Sequence, residues 1–238
     1  MLNLDETKIL TFDCYGTLID WESGMLSGLQ PLVRQAAVSL ADDQVLEAHA
    51  FHESSQQRQT PYMRYSDLLA IVHRRLAEEW GVRTTWEDCV EYGRSVRQWP
   101  AFSDSVSSLR RLRKRFSLAI LSNVDNVSFE HSRQRLGAEF DYVYTAEDIG
   151  SYKPKLRNFH YMLEKMARRG IAQRQILHVA ESLFHDHAPA NEVGLRNCWI
   201  NRRSGQDGFG AAGRPESMPC IEFRFNSLES FADAALAN

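Results

Sequence analysis

Long apolar runs and targeting signals are what this sequence lacks. Nowhere do about 18 apolar residues follow one another, so we predict no transmembrane helix. The first six residues, MLNLDE, are acidic and have neither the basic start nor the apolar stretch of a secretion signal. We therefore expect a cytoplasmic protein that does not insert into membranes.

Paired cysteines and an excess of charge of one sign are also missing. Cys14, Cys89, Cys198 and Cys220 are scattered without a Cys-x-x-Cys pair, and we expect all four to stay reduced. The formal net charge of −3 gives no general reason to expect nucleic acid as a partner. A basic run at residues 110–115 lies among apolar positions with helical spacing, and we interpret it as a solvated helix face.

Short apolar runs alternate with helix-length segments along most of the chain. Helical spacing is clear from Asn158 to Arg168, where Phe159, Met162 and Met166 share one face. Such alternation predicts an α/β protein with a parallel sheet and helices on both faces. In such a sheet a ligand binds at the carboxyl ends of the strands. The runs that we predict as strands are Lys8–Phe12, Ser117–Leu121, Tyr142–Tyr144, Ile176–Val179 and Cys198–Ile200.

The stretch from residue 21 to 98 differs from the rest because it shows helical periodicity and no convincing strand. Apolar residues spaced three and four apart between Leu68 and Leu76 illustrate the pattern. We therefore predict a helical cap at 21–98, inserted into a core that residues 1–20 and 99–238 form.

The strongest local signal is FDCYGTLID, residues 12–20. Asp13 comes directly after an apolar strand, and Gly16 permits an unusual backbone turn. A carboxylate held at a strand tip can attack an electrophilic carbon or phosphorus, and this splits one difficult displacement into two easier steps. Taken alone, the motif also suits a simpler interpretation, in which Asp13 caps a helix and Gly16 merely turns the chain.

Three further polar motifs follow in order along the chain. They are Leu121-Ser122-Asn123, then GSYKP at residues 150–154, then AESLFHD at residues 180–186. Together with DCYGT at residues 13–17, they resemble the motifs of the haloacid dehalogenase (HAD) superfamily of hydrolases, and the resemblance covers essentially the whole chain. It implies the HAD fold, a Rossmann-like core with an inserted cap.

The resemblance also implies a role for each motif. Asp13 would be the nucleophile, with Thr17 hydrogen-bonded close to it. Lys153 would neutralise charge around Asp13 and keep that carboxylate ionised, as a nearby cation should. Glu181 and Asp186 would close the site as acids that order a water molecule or a cation.

The residue two positions after the nucleophile separates the reactions of the superfamily. Its phosphatases have a second Asp there, which protonates the leaving oxygen, whereas this chain has Tyr15. A phenol with a pKa near about 10 suits that task poorly. The Asp-x-Tyr-Gly-Thr pattern resembles instead the L-2-haloacid dehalogenases, in which the carboxylate displaces a leaving group from C2 of a small acid without a metal. Tyr15, Thr17, Ser122 and Asn123 would then bind the substrate, with Ser122 and Asn123 on its carboxylate.

The chain departs from the haloacid dehalogenases at three positions. Phe159 stands where that group has Tyr, and Glu181 and Leu183 stand where it has Ser and Asn. Several segments, among them Phe12–Glu22 and Trp99–Phe102, resemble more closely the hydrolases that open L-azetidine-2-carboxylate. The resemblance therefore implies a small 2-substituted carboxylic acid as substrate, no cofactor, and a homodimer as a possible assembly.

Two alternative functions stay open. Asp13, Glu181 and Asp186 supply three oxygen ligands, which would suit Mg²⁺ in a phosphatase of small metabolites. In the second alternative, the fold binds a small ligand or a partner without turnover.

Some histidines and cap residues are weaker candidates. His185 and His187 stand two residues apart, so on a helix they face different sides and do not suggest a transition-metal site with His178. The cap residues Glu53, Gln57, Tyr62 and Tyr65 are candidates for substrate selection, although helix-surface or packing roles fit them at least equally well, and His185 or His187 is a candidate for assisting proton transfer.

Overall fold

The computed structural model describes residues 3–37, 39–205 and 208–237, and within these ranges six parallel strands form one sheet. The strand order is β3-β2-β1-β4-β5-β6, which confirms the predicted α/β class. All five predicted runs form strands, and β6 is a sixth that the sequence pattern missed because it has only three, partly exposed residues. The strands are β1 (Ile9–Phe12), β2 (Ser117–Ser122), β3 (Tyr142–Thr145), β4 (Ile176–Ala180), β5 (Arg196–Ile200) and β6 (Phe223–Phe225).

Helices cover both faces of this sheet and form the cap. In the described ranges no helix is long and apolar enough to cross a membrane. The helices are α1 (Trp21–Val33), α2 (Asp42–Gln59), α3 (Tyr65–Glu79), α4 (Trp86–Arg94), α5 (Ser105–Leu112), α6 (Asn126–Leu136), α7 (Ala146–Ile149), α8 (Leu156–Ala167), α9 (Ala188–Glu192) and α10 (Leu228–Leu236).

β1 lies between β2 and β4, at the point where the strand order reverses. Phe12, its last residue, pairs with Ile120 of β2 and Val179 of β4. The segments that follow these three strands therefore meet at one edge of the sheet, where a parallel α/β sheet forms its ligand crevice.

Apolar side chains of the strands alternate between two hydrophobic clusters, because successive side chains of a strand point to opposite faces. Leu118 and Ile120 pack in the larger cluster, whereas Ala119 and Leu121 pack in the smaller one. Burial on both faces explains why the strands have continuous apolar sequences and not alternating ones.

The stretch from residue 21 to 98 contains α1 to α4 and a short 3-10 turn, and all regular structure in its described part is helical. Leu68, Val72 and Leu76 are buried, as their spacing predicts. They belong to the same hydrophobic cluster as Leu118 of the core, so the cap and the core bury their apolar faces against each other. The domain boundaries at residues 20 and 98 stay a prediction.

Trp99 packs where the cap rejoins the core. Its side chain is 2% exposed, and its ring meets that of Tyr15 edge-on, with 5.6 Å between the ring centroids. A Cβ added to Gly24 of α1 would lie 2.3 Å from the Trp99 ring. Glycine at position 24 therefore permits the close approach of α1 to this tryptophan.

Residues 202–219 are rich in Gly, Ser and Pro, which predicts a long surface loop. That prediction is wrong in part, because Gly210–Ala212 forms a short, buried 3-10 turn against the cap. The amide of Ala211 donates to Glu22 of α1 at 3.0 Å, and Arg203 Nη1 donates to the same carboxylate at 2.7 Å. This segment, of which residues 206 and 207 lie outside the described ranges, thus fastens the core to the cap.

Gly93 of α4 provides a test of the packing inside the cap. An added Cβ there would lie 2.1 Å from the carbonyl oxygen of Ser66 in α3, so Gly93→Ala must push the two helices apart. We expect a loss of about 1–3 kcal/mol in the free energy of unfolding, measured by urea denaturation followed by circular dichroism.

The matched control is Gly28→Ala in α1, where the added Cβ meets the side chains of Tyr92 at 3.0 Å and Ser95 at 3.3 Å and no backbone atom of a neighbouring helix as close. Alanine favours a helix over glycine by about 1 kcal/mol, so this variant should be close to wild type or more stable. Equal stability of the two variants would contradict the close contact between α3 and α4.

Candidate active site

Asp13 lies at the carboxyl end of β1. Its amide donates to the carbonyl oxygen of Val179 at 3.1 Å, and its side chain is buried. Beyond it the chain turns at Gly16, whose φ of 91° lies in the region that favours glycine. The turn returns Thr17 to the carboxylate, where its hydroxyl donates to Asp13 Oδ2 at 2.9 Å. Asp20, and not Asp13, caps the helix that follows.

Lys153 brings a buried positive charge to this carboxylate. Its side chain is fully enclosed, and Nζ donates to Asp13 Oδ1 at 2.8 Å, to Asp186 Oδ1 at 2.6 Å and to the carbonyl oxygen of Leu121 at 2.9 Å. A lysine ammonium has three N–H donors, so all of them are used. The backbone of Lys153 is held by Asn123, whose side chain donates to its carbonyl oxygen at 3.0 Å and accepts from its amide at 2.7 Å.

His178 is a residue of this cluster whose position the sequence did not predict. It lies fully buried in β4, with Nε2 2.8 Å from Asp186 Oδ1 and Nδ1 2.9 Å from the hydroxyl of Thr11. The Asp186 carboxylate can only accept, so we assign the ring proton to Nε2. The Thr11 hydroxyl then donates to Nδ1. The available signal was a single polar side chain inside the apolar run Ile176–Val179.

Burial and charge act in opposite directions on these groups. Burial lowers the pKa of Lys153, but Asp13 and Asp186 outweigh that effect and hold the pKa above its ordinary value. Burial raises the pKa of Asp186, but Lys153 and His178 hold it far below its usual range. For Asp13, burial dominates and raises the pKa, while Lys153 and Thr17 oppose the rise. The ammonium and the Asp186 carboxylate are therefore charged at neutral pH.

Ser122 and Asn123, at the end of β2, line the same cavity as Asp13. The Ser122 hydroxyl is buried and has no hydrogen-bond partner among the described residues. The side-chain nitrogen of Asn123 donates one hydrogen bond to the carbonyl oxygen of Lys153, and its second N–H is available for a ligand. A buried hydroxyl without a partner costs free energy, and an oxygen of a bound ligand would relieve that cost. These two groups therefore suit a substrate carboxylate.

Tyr15 lines the cavity with its ring, but its hydroxyl is engaged elsewhere. The oxygen lies 2.8 Å from the hydroxyl of Ser132 in α6. Burial raises the pKa of Tyr15 well above its ordinary value, so the phenol keeps its proton at neutral pH. Tyr15 thus shapes the cavity and is poorly suited to donate a proton to a leaving group.

Glu181 does not share the cavity of the other acidic residues. Its amide donates to the Thr17 hydroxyl at 2.9 Å, but its side chain lines a neighbouring cavity of about 500 Å³ together with Glu22. Burial, with the negative charge of Glu22, raises the pKa of Glu181 to about 8, so the carboxyl is neutral at pH 7. The indole of Trp21 borders both cavities.

The cavity beside Asp13 is about 20 Å³ and has room for about one water molecule. A small carboxylic acid is larger than this space, so it does not fit the cavity as the structure shows it. Trp21, Glu53 and Tyr65 line it from the stretch 21–98, whereas the candidates Gln57 and Tyr62 are not in its lining. His185 lines it, as its candidacy for proton transfer requires, and the sequence did not single out Trp21 and Ser182 for this place. The full lining is Asp13, Tyr15, Trp21, Glu53, Tyr65, Ser122, Asn123, Lys153, Ser182, His185 and Asp186.

Comparison with known proteins relates this site to a family. A family model described as haloacid dehalogenase-like hydrolase matches residues 7–187. The (S)-2-haloacid dehalogenase of Pseudomonas sp. (strain YL) is 31% identical over 207 residues, which cover 84% of this chain and 84% of that protein.

Solved structures share the fold at lower sequence identity. The L-2-haloacid dehalogenase from Xanthobacter autotrophicus with chloropropionic acid covalently bound has a TM-score of 0.76 and 16% identity, over 96% of this chain and 98% of that one. A Bacillus subtilis HAD-hydrolase bound to magnesium has a TM-score of 0.74 and 18% identity, over 98% of this chain and 99% of that one. At these identities the likeness shows the fold alone.

Glu181→Gln tests the raised pKa of this carboxyl. Between its ordinary value of 4.5 and about 8, the folded state holds a proton that the unfolded chain releases. The free energy of unfolding of the wild type therefore falls as pH rises through this window. Since glutamine does not titrate, the stability of Glu181→Gln relative to wild type should grow across the window by up to about 5 kcal/mol.

Urea denaturation at several values between about pH 5 and pH 8 measures this difference. Glu47→Gln, an exposed position on α2, is the matched control and should follow the wild type at every pH. A constant difference between Glu181→Gln and wild type would show that Glu181 is ionised throughout.

Proposed function

The chain belongs to the haloacid dehalogenase-like hydrolases, and we propose that it cleaves the bond from C2 to the leaving group of a small 2-substituted carboxylic acid through an ester on Asp13. L-2-Haloacids and L-azetidine-2-carboxylate are substrates of this kind. The observation that carries the proposal is the position of the Lys153 ammonium, 2.8 Å from the Asp13 carboxylate and 2.6 Å from that of Asp186. The chain itself thus supplies the cation that stabilises a buried, ionised nucleophile.

In the first step, an oxygen of the Asp13 carboxylate attacks C2. A C–O bond forms while the bond from C2 to the leaving group breaks, and the leaving group takes the bonding electrons. Lys153 stays protonated and keeps the nucleophile oriented through its bond to Oδ1. The unpaired hydroxyl of Ser122 and the remaining N–H of Asn123 hold the substrate carboxylate.

In the second step, water attacks the carbonyl carbon of the Asp13 ester. The acyl C–O bond breaks, the product leaves as a 2-hydroxy acid, and Asp13 regains a carboxylate that contains one oxygen from water. The proton released goes to solvent when a halide has left, or to the amine when a ring has opened. Asp186 orients the water, since its Oδ1 is held by Lys153 and His178 while Oδ2 has no hydrogen bond among the described residues.

The carboxylates of Asp13, Asp186 and Glu181 are less well arranged for a magnesium-dependent phosphatase. Asp13 and Asp186 share the ammonium of Lys153, and the Glu181 side chain lines the other cavity. Among the described residues, no group of three His, Cys, Asp or Glu side chains is arranged to hold a metal ion. We therefore propose that turnover needs no metal and no other cofactor.

Turnover in the presence of a chelator tests this reaction. The purified protein is assayed with EDTA, and with added magnesium, against L-azetidine-2-carboxylate, L-2-chloropropionate and a phosphate monoester. We expect hydrolysis of a carboxylate that neither addition changes. Asp13→Asn should lower kcat by about 10⁴-fold or more, because it removes the nucleophile.

Asp20→Asn is the matched control, since Asp20 lies in the same loop and caps α1. That variant should keep most of the activity. Release of phosphate that requires magnesium, without turnover of any carboxylate, would contradict the proposal.

An isotope experiment identifies the covalent step. A single turnover in water labelled with oxygen-18 should place the label in Asp13 and not in the product, because water attacks the ester carbonyl. Mass spectrometry of the peptide that contains Asp13 measures the label. Oxygen-18 in the product after one turnover would mean that water attacks C2 directly.

A further inference from the structure

Glu53 of α2 brings a buried carboxylate from the cap into the Asp13 cavity. The residue is 6% exposed and lines the cavity. Its Oε1 accepts a hydrogen bond from Gln57 at 2.9 Å. Its Oε2 is buried without a hydrogen-bond partner among the described residues, and His49 Nδ1 lies 3.4 Å away without forming one. One oxygen of this carboxylate is therefore buried without a hydrogen bond among the described residues.

The described residues that line the cavity include no cation that is free to neutralise Glu53. The three donors of Lys153 are used by Asp13, Asp186 and a carbonyl oxygen. His185 also lines the cavity, but burial lowers its pKa, so its ring is neutral at pH 7. Among the described lining residues, Lys153 is thus the one charged cation and its donors are already used, while outside the lining His49 lies beside Glu53 Oε2.

The charges in this space favour a substrate that carries a positive charge. The carboxylates of Asp13, Asp186 and Glu53 face one ammonium, that of Lys153. A substrate carboxylate adds another negative charge, and like charges repel strongly where water is excluded. Departure of a halide leaves this total unchanged, because the negative charge of Asp13 passes to the halide as the ester forms. A protonated nitrogen would instead offset the excess and donate a hydrogen bond to Glu53 Oε2.

We propose that Glu53 binds a protonated nitrogen of the substrate, so that the site selects small carboxylic acids with a charged ring amine at C2 over haloacids. Release of strain makes the amine of a small ring a feasible leaving group. The inference rests on the proposed function, for which it names the substrate class and a residue that determines specificity.

Binding of two ligands that differ at one ring position tests the proposal. L-Proline and cyclopentanecarboxylate have the same ring size, but only L-proline has a charged nitrogen. Isothermal titration calorimetry should show that the wild type binds L-proline at least about tenfold more tightly, because a buried carboxylate discriminates strongly between a cation and an apolar group. Glu53→Gln should lose this preference, and Glu53→Asp, which keeps the charge, should retain part of it.

Glu47→Gln is the matched control, because it makes the same change on the exposed side of the same helix. It should bind both ligands as the wild type does. A wild type without a preference for L-proline, or one that gives no heat with it, overturns the inference even if Glu53→Gln does not fold. A preference that survives in folded Glu53→Gln overturns it as well.

The outcomes separate this inference from the proposed reaction. A preference for L-proline that depends on Glu53, in a protein that hydrolyses no carboxylate, would contradict the proposed reaction and support the binding role of Glu53. Turnover that depends on Asp13, in a protein without a preference for L-proline, would contradict only the role of Glu53. Where turnover occurs, Glu53→Gln should raise KM for L-azetidine-2-carboxylate at least about tenfold and leave KM for L-2-chloropropionate unchanged or lower.

Discussion

The buried ammonium of Lys153 is the interaction on which the rest of the site depends. It joins Asp13 after β1, the carbonyl oxygen of Leu121 in β2 and Asp186 in the turn after β4. Loss of one partner would leave an uncompensated buried charge, which costs several kcal/mol. The three segments are therefore held in one arrangement by the same charge that contacts the proposed nucleophile, Asp13.

Much of this arrangement follows from simple features of the sequence. Apolar runs predict the strands, and the rule that ligands bind at their carboxyl ends places Asp13, Ser122 and Asp186 at one edge. The direction of a side chain in a tight turn is less predictable. Glu181 follows β4 directly, as its motif predicts, yet its side chain lines the cavity beyond Trp21. That outcome depends on packing between the cap and the core, which no local pattern encodes.

The sequence likewise does not show which single polar residues become buried in the site. His178 stands in an apolar strand, and only the three-dimensional pairing with Asp186 shows that it holds a catalytic candidate in place. Glu53 resembles any helix-surface glutamate in the sequence, because its neighbours on α2 are mostly polar. Its position in the cavity results from the way α2 packs against α1, α3 and the turn at Gly210–Ala212. In the proposed reaction, the core supplies the reacting groups, and the cap contributes side chains that line the cavity.

The size of the closed cavity has a consequence for the order of events. A space of about 20 Å³ accommodates about one water molecule, so a substrate ester and the hydrolytic water together need more room than the structure shows beside Asp13. A halide that departs vacates room for the water. The amine of an opened ring stays tethered to the ester, and its volume is not vacated. A site that hydrolyses such an ester must therefore hold the amine and the water at the same time, which a site for haloacids need not do.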